Sequence, residues 1–121
     1  MKHRKESNMS SEEEKSAVTE ILRTLSDDKA FYFFRSVDSP LGLKARSLEE
    51  FLEQLKVVDA DSVRFHLARH DFQNWLLMLG DVSLAKQISG LDQKGLSPPE
   101  LQLRLVGMVR MRLEKLRRVS S

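Results

Sequence analysis

The chain predicts a mostly α-helical, single compact domain, and three features carry the prediction. Apolar residues recur at helical spacing in six windows between residues 18 and 116. A serine followed three positions later by glutamate, the pattern of a capping box, stands before three of those windows. A length of 121 residues with 40% apolar residues supports one core and no second ordinary domain. Five to six helices are expected, with space for one small β-hairpin near residues 30–45.

The elements follow in order. Residues 1–10 are charged and polar and read as a disordered leader. Ser11 with Glu14 forms the first capping box, and Val18, Ile21, Leu22 and Leu25 make one stripe, which predicts a helix from about Glu12 to Leu25. Phe31-Tyr32-Phe33-Phe34 is dense in aromatics and suits a strand. Phe31 and Phe33 would then face one side, and Tyr32 and Phe34 the other; the stretch could line an apolar pocket, but at least one pair is expected in the core, the second being either covered by helices or an interaction surface. Asp38-Ser39-Pro40-Leu41-Gly42 signals a turn, and Leu43-Lys44-Ala45 suits a short return strand. A helical reading of 30–37 stays open, because so short an apolar run does not fix its period.

Ser47 with Glu50 opens the next helix, whose apolar face is Leu48, Phe51, Leu52 and Leu55. Asp59 or Asp61 can cap a third, with Val63, His66, Leu67 and His70 on one side. Asp71 can cap a fourth, carrying Phe72, Trp75, Leu76 and Leu79, and Gly80 suits its left-handed end. A short fifth helix near Val82–Ser89 would bury Leu84, Ala85 and Ile88. Ser97-Pro98-Pro99-Glu100 then starts a last helix that runs to about Arg118, leaving 119–121 as a disordered end. Its apolar set (Leu101, Leu105, Met108, Val109, Leu113 and Leu116) is broad, and Leu103, Val106 and Met111 lie off that stripe. So wide an apolar circumference implies burial on several sides or a partner, such as a second copy.

Composition narrows function by exclusion. The chain has no cysteine, which removes disulfides, thiol catalysis and Cys-based zinc sites. A reducing, cytoplasmic setting is the default expectation. No apolar run approaches the ~20 residues of a membrane span, and residues 1–10 lack the apolar centre of a signal peptide. The formal net charge is +2, but residues 101–121 carry +5 and residues 9–100 carry −5. The last helix therefore offers Arg110, Arg112, Lys115, Arg117 and Arg118 as candidate phosphate contacts. No aromatic residue follows Trp75 to stack on bases, and cations are also favoured near any helix C-terminus.

The densest group of polar and aromatic residues is His66-Leu67-Ala68-Arg69-His70-Asp71-Phe72-Gln73-Asn74-Trp75. On one helix, His66 and His70 would face the same way, which is half a metal site at best. A general-base role for either histidine would need a nucleophile, an oxyanion donor and a pocket, and the sequence supplies no such set. The structural alternative is that His66 bonds a neighbouring turn, Arg69 pairs with Asp71, and Trp75 is core. No catalytic residue, metal or cofactor is assigned. The ligand-binding candidates are His66, Arg69, His70, Asp71 and Trp75.

Several blocks at fixed spacing also resemble an uncharacterised prokaryotic domain family, mainly archaeal with some bacterial members. They are Phe31-Tyr32-Phe33-Phe34, Gly42, Ala45-x-Ser47-Leu48-x-Glu50-Phe51, His66-x-x-Arg69-x-Asp71-Phe72-x-x-Trp75, Leu79-Gly80-Asp81 and Leu84-Ala85. The resemblance covers about residues 31–88. It implies a small helical domain, stand-alone or appended, with no established activity, and it marks His66, Arg69, Asp71 and Trp75 as family-defining positions. The leading expectation is a non-enzymatic interaction or regulatory module, homodimeric through its last helix. A nucleic-acid-binding protein and a small-ligand or metal-dependent site at the His66–Trp75 block are the alternatives.

Overall fold

A computed structural model describes residues 2–120, with side chains from residue 12 onward. It contains six α-helices among the described residues and one two-stranded antiparallel hairpin, packed as a single compact domain. The order is α1 (Lys2–Ile21), a 3-10 turn (Asp27–Lys29), β1 (Phe31–Phe34), β2 (Pro40–Ala45), α2 (Leu48–Val57), α3 (Ala60–Ala68), α4 (Asp71–Leu79), α5 (Val82–Ser89) and α6 (Pro98–Ser120). The mostly helical class and the small hairpin both match expectation.

Two boundaries differ from it. The first helix stops at Ile21 rather than Leu25, because Leu25 donates its N–H to the Arg46 carbonyl at 2.7 Å. That bond draws the chain onto the end of β2 and out of helical geometry, while Leu25 itself stays buried. At the other end of α1 the backbone is helical from Lys2, ahead of the capping-box serine at Ser11. The disordered leader expected over 1–10 concerns Met1 and side chains that lie outside the described residues. Ser121 is outside them too, and Val119 packs partly buried against the core.

The capping signals at the other helices are realised with informative variations. Ser47 Oγ accepts the Glu50 N–H at 3.1 Å, while Glu50 reaches back to the Arg46 N–H at 2.8 Å. Asp59, not Asp61, caps α3, accepting the Asp61 N–H at 2.9 Å. At α6 both arms of the capping box close: Ser97 accepts from the Glu100 N–H at 3.3 Å, and Glu100 from the Ser97 N–H at 2.9 Å. Gly80 ends α4 with φ 108°, the left-handed geometry that glycine adopts most readily.

The hairpin lies on the helices through β1 against α3 and β2 against α2. Its inner face, Phe31 and Phe33, enters an aromatic core with Phe51, Phe72 and Trp75. The Trp75 indole N–H donates to the Lys29 carbonyl at 2.9 Å, so its polar edge is used inside the fold. α6 packs against α1, α2, α3 and α5. Its broad apolar set is consumed by that position: Leu101, Leu105, Val109, Leu113 and Leu116 are buried, and Val106 and Met108 pack partly buried against the core. Leu103 and Met111 alone of its large apolar side chains stay exposed, at 73% and 69%. No helix among the described residues is long and apolar enough to cross a membrane.

Candidate functional site

The site is built where β1 loses its ladder. Phe31 pairs with Ala45 and Tyr32 with Lys44, but the register then shifts and Phe34 faces Pro40, so the ladder is irregular at Phe34. The Phe34 N–H turns instead to α3 and donates to His66 Nε2 at 2.9 Å. A backbone N–H only donates, so Nε2 is the unprotonated nitrogen and Nδ1 carries the ring hydrogen. Nδ1–H then donates to Asp71 Oδ2 at 2.8 Å.

Both nitrogens of His66 are thereby committed, and the ring is 3% exposed. Burial holds its pKa below the ordinary histidine value, against the opposing pull of Asp71. A neutral histidine with no spare lone pair neither accepts a proton from a substrate nor ligates a metal while these bonds stand. Its role here is to satisfy the strand amide.

Around it stands an outer layer. Arg69 Nε donates to the same Asp71 Oδ2 at 3.1 Å. The Arg69 guanidinium lies 5.0 Å from the centre of the Phe65 ring, one helical turn earlier on α3. Phe31, Tyr32, Phe34, Val37, Phe65, His66, Arg69 and Asp71 line a concavity of about 330 Å³ between β1 and α3. Tyr32 is 46% exposed and Val37 67%, so the apolar wall is open to water.

The sequence candidates separate on this geometry. His66, Arg69 and Asp71 come together as expected. His70 does not join them: α3 ends at Ala68, and His70 sits in the α3–α4 link with φ 62°, a left-handed value uncommon outside glycine. The helical spacing that would align it with His66 is therefore absent. Asp71 does not cap α4 either; it is the first helical residue, and its carboxylate turns to His66 and Arg69. Trp75 is core, outside the concavity. Tyr32 and Phe34 come from the outward face of the aromatic strand, whereas Val37 and Phe65 were not among the candidates. For Phe65 the four-residue spacing to Arg69 was the legible signal.

The basic residues of α6 divide rather than form a stripe. Arg112 Nε donates to both oxygens of Asp81, at 2.9 and 3.2 Å, and Asp81 is fully buried. Arg117 pairs with Glu49. Arg110 borders a groove that also contains Glu49, Glu53 and Glu114, while Lys115 and Arg118 face the α5 side with Met108 and Met111. Among the described residues, no group of three His, Asp or Glu side chains converges on one point.

No curated protein and no solved structure matches the chain. One family model does, over residues 5–110, a span that includes every residue of the concavity. With that much of its length covered, the chain belongs to a family of unknown function, DUF5752.

Proposed function

We propose that the chain is a non-enzymatic binding module whose site is the concavity between β1 and α3. The observation that carries this reading is a partly exposed aromatic wall facing an arginine–carboxylate pair that a buried histidine holds in place. Chains that fold alone seldom leave such a patch open without use. The volume, about 330 Å³, falls at the lower end of the ~300–1,000 Å³ range of small-molecule sites. The commitment of both His66 nitrogens favours binding over acid–base chemistry.

Titration of ¹⁵N-labelled protein with indole, an uncharged aromatic probe, tests the reading. Saturable shifts centred on the amides of Phe34, Phe65 and Arg69, weakened in Phe65→Ala, are expected. Shifts confined to α6, or none, contradict it.

A further inference from the structure

We infer that the concavity selects small neutral aromatic amides, groups that place a hydrogen-bond donor beside an acceptor on a planar frame. The inference rests on the binding reading above and adds the chemistry of the occupant.

The polar groups left open decide it. The Tyr32 hydroxyl donates to the Asp27 carbonyl at 2.6 Å, so Tyr32 offers its ring. His66 has neither nitrogen to give. Asp71 Oδ2 already accepts twice, whereas no bond among the described residues engages Asp71 Oδ1. Arg69 uses Nε on Asp71, and stacking on Phe65 holds the plane of a guanidinium whose terminal nitrogens make no bond among the described residues. One set of donors and one acceptor thus remain, side by side.

The charges point the same way. Arg69 and Asp71 cancel, His66 is neutral, and among the described residues no other charged side chain lines the concavity. An anion drawn to Arg69 meets the Asp71 carboxylate, and a cation drawn to Asp71 meets Arg69. A neutral amide edge answers both groups without that conflict, and its ring packs on Tyr32, Phe34 and Phe65.

Benzamide, benzoate and benzamidine share a ring and differ in this edge: donor with acceptor, acceptor with negative charge, donors with positive charge. Their affinities for the full chain are read from the amide shifts of Phe34, Phe65 and Arg69. Benzamide is expected to bind about threefold or more tightly than either ion, the worth of one neutral hydrogen bond. In Arg69→Gln, the advantage over benzamidine should vanish, because the carboxylate then faces the ligand without its cation. Equal binding of all three, or a preference for either ion, overturns the amide inference and leaves the binding reading standing. Failure of all three probes and of indole overturns both.

Discussion

Asp81 with Arg112 and Asp71 with Arg69 use the same two residue types and reach opposite ends. Asp81 is fully buried, caps α5 by accepting the Leu84 N–H at 3.0 Å, and takes Arg112 on both oxygens. Arg112 itself is only 15% exposed in its side chain. Asp71 is 29% exposed in its side chain and Arg69 54%, and one face of that pair meets water. The difference lies in what surrounds each pair. A helix N-terminus and α6 enclose the first, so both Asp81 oxygens are spent on the fold. The second leans on a buried histidine from within and has nothing over it. Carboxylate–arginine chemistry alone therefore does not mark a site; the unspent side does.

Breaking the enclosed pair should cost most. Asp81→Ala removes a cap and leaves the largely buried Arg112 charged and without its carboxylate, at about 3–5 kcal/mol. Urea denaturation reads this directly. Replacing both partners, Asp81→Asn with Arg112→Met, should recover part of the loss, since no lone buried charge remains. A loss below about 1 kcal/mol in the single variant would place Asp81 with Asp71, among pairs that stability does not need.

The inner layer of the open cluster comes next. His66→Leu orphans the Phe34 N–H and should cost about 1–3 kcal/mol. It also carries a pH signature. Because His66 has a lowered pKa in the fold, the unfolded chain binds the proton more readily. Stability is then full above the unfolded value, ~6.5, and falls as pH drops through it toward the folded pKa. A thermal midpoint that declines from pH 7.5 to 5.5 in the parent chain, and declines less in His66→Leu, fits this assignment. Parallel curves would remove it.

Much of this contrast was hidden in the sequence, for physical reasons that differ by residue. Helices α2 to α6 announced themselves by apolar spacing, and α2, α3 and α6 by capping as well, because both are local properties. The hairpin faces were legible from alternation: Phe31 and Phe33 are inside, and Tyr32 is outside. The pairing of Arg69 with Asp71 was also within reach, since the two are neighbours in the chain. Asp81–Arg112 was not, because 31 positions separate the partners and only the packing of α5 on α6 joins them. The Phe34–His66 bond depends on a register shift that no local pattern encodes. The breadth of the apolar stripe on α6 pointed to burial on several sides or a partner, and burial within the fold takes up most of it. Its central position in the fold accounts for all of it except Leu103 and Met111.

The smallest effects should come from the outer layer and the link behind it. Arg69→Gln should change stability by no more than about 1 kcal/mol, as exposed ion pairs do. A much larger loss would assign Arg69 to the scaffold. His70→Gly relieves a left-handed backbone that costs a non-glycine residue about 1–2 kcal/mol, partly offset by the entropy glycine loses. A net gain of about 0.5 kcal/mol in urea denaturation is expected, and a loss would show that the His70 ring does more than fill the turn.

The layered reading of the cluster, a committed inner histidine beneath a receptive outer pair, meets its most direct test in the ¹⁵N spectrum of the His66 ring. The account requires a neutral ring with hydrogen on Nδ1 and a bare, hydrogen-bonded Nε2 at pH 7, taking up a proton only below the ordinary histidine range. A ring already charged at pH 7, or one carrying its hydrogen on Nε2, would contradict it.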